Sequence, residues 1–319
     1  LSVIIPAYNE EKRIGKTLDE LARFLKTEKT FKKLNVEVIV VSADSSDRTH
    51  EVVLSRKMKF FNFRLLKPGA RVGKGRDVKY AMLRAKGAAI IFMDADLATP
   101  LKHLPTFYKA FLKGNEIVIA TRNLRKHHPD FLRRFVSNIG NLLFRIAGGV
   151  WVEDSQCGFK LFSKKASKLC FSKLTILGWG FDMEILAIAR ANKLKMKSFR
   201  INDWKSVPGG TFSNGIIKNS LITLNELSHI LINRIKGQYV DTRKVPENSA
   251  KIVSNEKNNE QQSSIWRKLL LFVGIPILLY LVLFYIFQPH YFGSFSSKFY
   301  MDNGDGFQNV WNMWWVNHS

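Results

Sequence analysis

Four short runs, Ser2–Pro6 (SVIIP), Val36–Val41 (VEVIVV), Ala89–Asp94 (AIIFMD) and Glu116–Thr121 (EIVIAT), are compact and rich in Ile and Val. Such runs suit strands buried on both faces, as in a parallel sheet. Between them lie Glu10–Lys26, Asp47–Lys57, Gly75–Lys86 and Leu101–Lys113, whose apolar residues recur at helical spacing. Ser46-Asp47 and Thr99-Pro100 read as helix starts, a capping side chain followed in the second case by an early proline. Strand and helix in alternation predict a doubly wound, mainly parallel α/β sheet. In such sheets ligands sit beyond the carboxyl ends of the strands. The loops after Pro6, Val41 and Met93 are the places to look.

Charge narrows the partners. Lys and Arg number 50 against 26 Asp and Glu, a formal net charge of +24. A balance this basic implies anionic company: nucleic acid, an anionic membrane face or phosphorylated substrates. No nucleic-acid recognition motif or zinc spacing is present, so nucleic acid is not expected as a partner. The two cysteines, Cys157 and Cys170, form no CxxC and no Cys/His cluster, which argues against a disulfide framework and for a reducing compartment. Cys157 reads as a small buried residue. His127-His128 lies in a basic loop without acidic neighbours and reads as solvated.

Beyond residue 240 the composition changes. Residues 241–264 are polar and aperiodic, a linker. Leu269–Phe287 (LLLFVGIPILLYLVLFYIF) is uncharged and, at about 20 residues per span, just long enough to cross a bilayer. With its flanks it predicts a transmembrane helix over 265–288. Arg267 and Lys268 precede it and no Lys or Arg follows, which places the 1–240 domain in the cytoplasm and the 289–319 tail outside. A buried core helix is the other reading of the run. Ile216–Ile235 has helical periodicity with Lys218, Arg234 and Lys236 around it, and suits a core helix or a membrane-surface helix. The opening at Leu1 and the stop at Ser319 suggest a fragment. The aromatic tail Tyr300–Val316 resembles the first external loop of multi-span glycosyltransferases that consume polyprenyl-linked sugars.

Asp94-Ala95-Asp96 closes the strongest strand in the chain. Carboxylates two apart where a strand ends can converge on one hard cation, Mg²⁺ or Mn²⁺, completed by substrate phosphates. Alone, such a doublet is equally a solvated or capping pair. Its context is more specific: LSVIIPAYNEEKRIGKTL at Leu1–Leu18, the Gly73-Lys74-Gly75 turn, DADLATP, and DSQCGFKLF at Asp154–Phe162 occur in one order. That set resembles the family 2 glycosyltransferases of the GT-A fold, and within them the polyprenyl-phosphate branch of dolichyl-phosphate glucosyltransferases and dolichyl-phosphate mannose synthases. IPAYNEEKRI, DSQCGFKLF and GFDMEIL at Gly180–Leu186 lean toward the glucosyl members.

The resemblance implies roles residue by residue. Pro6, Ala7, Tyr8 and Glu10 would line the nucleotide pocket with Val41; Lys74 would face donor phosphate or base. Asp94, Ala95 and Asp96 would meet the diphosphate, Asp94 and Asp96 through the metal, with Asp96 and Asp154 as the catalytic carboxylates. Arg122 matches a site near the sugar and diphosphate, and Asp154 falls near the anomeric centre. Arg133, Arg134 and Ser137 match a stretch that meets the acceptor phosphate, though an arginine pair is also an ordinary solvated helix face. One departure stands out. Where the family reads VDDGSTDGT, this chain reads VSADSSDRT, with Ser42 and Ala43 at the acidic positions and Asp44 displaced by one. Asp44 then either substitutes through a shifted loop or is a plain turn residue.

The physical case runs alongside. A leaving diphosphate needs its charge neutralised, by a metal with Lys and Arg. An acceptor phosphate is already anionic and needs positioning, for which arginines are suited. Single displacement predicts inversion. The expected activity is hexose transfer, glucose before mannose, from UDP-glucose or GDP-mannose to a polyprenyl monophosphate at the cytoplasmic membrane face. Two alternatives remain: a transferase with a sugar acceptor, and a silent membrane-tethered binding module. Asp182 and Glu184 read as helix-dipole partners, and Trp179 as a core residue ahead of a lipid or sugar contact.

Overall fold

All four expected apolar runs are strands in the computed structural model, which describes residues 1–122, 142–205 and 216–241. They are β1 (Ser2–Pro6), β2 (Glu37–Val41), β4 (Ala89–Met93) and β5 (Ile117–Arg122). Every residue of β2 and β4 is buried, because apolar helices cover both faces of the sheet. Three further strands were not expected: β3 (Asn62–Leu66), β6 (Phe159–Ser163) and β7 (Met196–Ile201). The sheet has seven strands in the order β3-β2-β1-β4-β6-β5-β7. Only β6 runs antiparallel, between β4 and β5. The sheet is therefore mixed but mainly parallel.

On one face α1 (Glu11–Thr27), α2 (Thr49–Leu54) and α4 (Leu104–Leu112) pack through Ile14, Leu18, Leu21, Val53, Leu104 and Phe107. On the other lie α3 (Lys74–Met82), α5 (described over 142–148), α6 (Lys164–Lys173), α7 (Phe181–Ala191) and α8 (Ile216–Ile235). Their Val78, Phe144, Leu169, Phe181 and Ile230 belong to a second core. Leu227 and Ile230 bury one side of α8 while Ile222 and Ile232 are exposed, so its described part is a core helix with one wet face.

The two expected helix starts differ in detail. Asp47 accepts from Thr49 N at 2.9 Å, holding the first turn of α2 from just outside it. Thr99 caps nothing. Its hydroxyl lies 3.8 Å from Cys157 Sγ, and the chain enters α4 through a single 3₁₀ turn at Leu101–His103.

Strand order fixes the site. From β1 the chain builds outward to β2 and β3, then returns to place β4 on the other side of β1. The loops leaving β1 and β4 thus part at their carboxyl ends, which opens a crevice there. Because β6 is antiparallel, its start at Phe159 pairs with Met93, the last residue of β4. DSQCG is delivered beside DAD by that reversal. Among the described residues no helix is long and apolar enough to cross a membrane. The expected span at 265–288, the linker beyond Asp241 and the tail at 289–319 lie outside the described residues.

Candidate active site

The crevice begins with two loops stitched together by small polar side chains. Asn9, with φ of 54°, accepts from Ser46 N at 3.0 Å through its Oδ1 and donates to Ser46 Oγ at 3.1 Å through its Nδ2. Asp47 accepts from Glu11 N, and Thr49 Oγ1 accepts from Glu10 N at 2.8 Å. Pro6, Tyr8 and Glu10 thereby stand at the rim with the β2 loop fixed against them. Arg71 lies over the Tyr8 ring at 4.1 Å. Arg76 donates to the carbonyls of Pro68 and Ala70 and clamps the loop that carries Arg71.

Next to it lies the acidic centre. Lys74, the first residue of α3, donates to the Asp94 carboxylate and stands 5.2 Å from the Trp179 ring. Burial alone would push the Lys74 ammonium toward neutrality; Asp94 first, and Asp182 next, hold it charged above the usual lysine value. Burial raises the Asp96 carboxyl, and the Asp94 charge raises it further. Glu10 is raised by burial in the same way, with Asp96 and Asp94 adding to it against the pull of Arg13. Just after the pair, Leu97 sits at φ of 55°, a strained backbone for a branched residue. Asp96 also accepts from Ala98 N at 2.9 Å, closing the turn on itself.

These features fit a hard divalent cation. Both side chains offer only oxygen, and their mutual repulsion is what a cation relieves. Among the described residues no group of three or more His, Cys, Asp or Glu forms a protein-only metal site. The pair therefore suits a metal whose shell is completed by phosphate and water.

Third comes an ion pair at the end of β5. Arg122 donates to Asp154 from Nε at 2.6 Å, from Nη2 at 2.9 Å and from its backbone N at 3.1 Å. Asp154 is 2 % exposed. Burial would raise its carboxyl, but the Arg122 hydrogen bonds and charge outweigh that and hold it below the usual aspartate range. Arg122 also lies 5.5 Å from the Trp204 ring, so its guanidinium is held from two sides.

The structure brings together Pro6, Tyr8, Glu10, Lys74, Asp94, Asp96, Arg122 and Asp154 at one edge of the sheet. It places others less openly. Ala7, Val41 and Ala95 have buried side chains and can meet a ligand only through backbone; the Val41 carbonyl already accepts from Ala7 N, and that of Ala95 from Thr17 Oγ1. Asp44 is exposed, its N–H donating to Gly69 O at 3.1 Å, whereas Ser42 is fully buried with its hydroxyl 3.0 Å from His50 Nε2. Arg133, Arg134, Ser137 and the His127-His128 loop lie outside the described residues.

Asp182 and Glu184 stand in the first turn of α7 as expected, but both are buried and have partners of their own: Asp182 accepts from buried Lys160, and Glu184 from Thr175 N, Ile176 N and Tyr239 OH. One expectation is corrected. Trp179 is 42 % exposed at the site rather than in the core.

A family model described as Glycosyl transferase family 2 matches residues 2–171. The chain belongs to that family. It is a glycosyltransferase. A dolichyl-phosphate beta-glucosyltransferase of Trichomonas vaginalis is 35 % identical over 233 residues, covering 69 % of this chain and 71 % of the relative. The proteins of that name from Drosophila melanogaster and Homo sapiens are 34 % and 30 % identical, each covering 66 % of this chain and 68 % of the relative. Among solved structures, mannosyl-3-phosphoglycerate synthase from Rubrobacter xylanophilus aligns with a TM-score of 0.53 at 14 % identity over 76 % of each chain. Glucosyl-3-phosphoglycerate synthase from Mycobacterium tuberculosis, in complex with Mn²⁺, UDP and phosphoglyceric acid, aligns at 0.51 and 18 % identity over 77 % of this chain and 79 % of that one. At these identities the likeness is one of fold: a GT-A-like mixed sheet.

Proposed function

We infer that this family 2 glycosyltransferase transfers glucose from UDP-glucose to dolichyl phosphate, with inversion, at the cytoplasmic face of a membrane. The observation that carries the reading is the 35 % identity, sustained over 233 residues, to a dolichyl-phosphate beta-glucosyltransferase. The crevice supports it chemically. Lys74, held cationic, faces the place where a diphosphate would leave, and Arg122 presents a second fixed cation across the same edge. A divalent ion, Mn²⁺ or Mg²⁺, held by Asp94 and Asp96 would supply further positive charge to that leaving group.

Asp154 takes a different role from a base. A carboxylate pinned by three hydrogen bonds from Arg122 and kept below its usual range is a weak proton acceptor. It orients the guanidinium instead. A phosphate acceptor, already ionised, asks for no base. Attack by its oxygen on the anomeric carbon, with departure of the nucleoside diphosphate, is a single displacement and inverts that centre. Arg133, Arg134 and Ser137 remain the candidates to hold the lipid phosphate, and 265–288 the candidate anchor.

The test is a donor screen on the full chain with dolichyl phosphate in Mn²⁺. Transfer from UDP-glucose should exceed that from GDP-mannose by at least about tenfold, since a polar pocket rejects the wrong partner strongly. Preference for GDP-mannose, or for a free sugar acceptor, would overturn the reading.

A further inference from the structure

Lys160 is 0 % exposed and Asp182, in the first turn of α7, 3 %. The Lys160 ammonium donates to the Asp182 carboxylate and, at 2.7 Å, to the carbonyl of Cys157; it lies 5.5 Å from the Phe92 ring centre. Stability explains this pair poorly. Taking two charges out of water costs as much as their attraction returns, and apolar residues of similar volume serve a core as well or better.

Location explains it better. Lys160 pairs across the sheet with Phe92, two residues before Asp94. The carbonyl it holds belongs to Cys157, and the next residue, Gly158, is the shelf on which Asp94 rests. Gly158 O accepts from Asp94 N at 3.1 Å, and a Cβ on Gly158 would come within 2.0 Å of Asp94 Oδ2. Asp182 completes the arrangement by holding the Lys160 ammonium in place. The pair thus reaches Asp94 through the Cys157–Gly158 shelf and is itself buried.

We propose that Lys160 and Asp182 are positioning residues for the acidic centre: Asp182 holds the Lys160 ammonium, Lys160 pins the Cys157–Gly158 shelf, and the shelf so held fixes the carboxylate that receives the donor diphosphate. The inference rests on the reading of Asp94 and Asp96 as the donor-diphosphate centre.

The test replaces both charges at once. In the full chain, Lys160→Met with Asp182→Leu should leave the melting temperature within a few degrees of the native value or above it, because the buried pair is exchanged for a packed apolar one. Affinity for UDP with Mn²⁺, by calorimetry, should fall at least about tenfold, and kcat should fall while KM for dolichyl phosphate holds. Affinity and kcat both within about twofold of native would overturn the proposal. Should the double variant not fold, Asp182→Asn keeps the shape while removing the charge that holds Lys160. Calorimetric stoichiometry counts its folded fraction, and native affinity there would overturn the proposal equally. A native chain that binds UDP with Mn²⁺ but glucosylates no dolichyl phosphate would sink the acceptor reading, leaving the positioning role to stand or fall on affinity alone.

Discussion

Arg122 and Asp154 tie the site to the stability of the fold, because the carboxylate is deeply buried and the guanidinium is its main partner. Cutting Arg122 back to Ala strands a charge in the core, which costs about 3–5 kcal/mol when nothing replaces the partner. The pH dependence has a definite sign. The folded-state pKa of Asp154 is depressed, so its contribution is complete above the unfolded value near 3.8 and is lost as pH falls through the lower folded one. Denaturant titrations should therefore find Arg122→Ala weaker than native by about that amount at pH 7, with the gap closing below about pH 4. A gap that is constant between pH 7 and pH 3 would mean the loss comes from packing of the guanidinium over Trp204 rather than from charge. Turnover at neutral pH should drop as well if, as proposed, the same guanidinium faces the donor.

At the scale of elements, the antiparallel β6 is what brings DSQCG beside DAD, and Gly158 is where the two meet. No side chain fits there, although the Gly158 backbone is not left-handed and would itself accept one. Gly158→Ala should swing the Asp94 carboxylate off its shelf and, if Asp94 holds the metal as proposed, cut turnover by about 10–100-fold. Overpacking should cost only about 1–3 kcal/mol, less where Asp94 can rotate toward solvent. Wild-type kinetics in that variant would show that Asp94 does not need its present position. The same element marks the limit of what the sequence disclosed. β1, β2, β4 and β5 were legible because parallel strands covered on both faces are uninterrupted in Ile and Val. β6 was not, since FKLFS carries at its second position a lysine that Asp182, 22 residues away, and the Cys157 carbonyl render buriable. β3 and β7 are edge strands with little burial and so carry no hydrophobic signature. The site divides likewise: DAD, Lys74, Arg122 and Asp154 could be read from motifs, whereas the placement of Lys160 and of Trp179 depends on contacts between distant segments.

Across the whole molecule, cohesion and chemistry are separable. Two apolar cores, one on each face of the sheet, hold the described residues together, and no metal cluster joins them. The acidic centre sits at the edge with its charges only partly answered by Lys74 and Arg13. A divalent ion with a nucleoside diphosphate should thus bind the folded state and leave the core unchanged. Excess chelator should abolish glucose transfer yet leave the melting temperature of the ligand-free chain where it was. Adding UDP and Mn²⁺ at about 100 times the dissociation constant should stabilise the fold by about 2.7 kcal/mol through mass action alone. For a unit of this size each kcal/mol moves the melting point by about 2–4 °C, so the transition should rise by roughly 5–10 °C, and UDP in chelator should give little of that rise. Two results would count against this division. A chelator-induced fall in the ligand-free transition would mean that a metal helps hold the fold, and an equal shift with UDP alone would mean that Asp94 and Asp96 bind the donor without one.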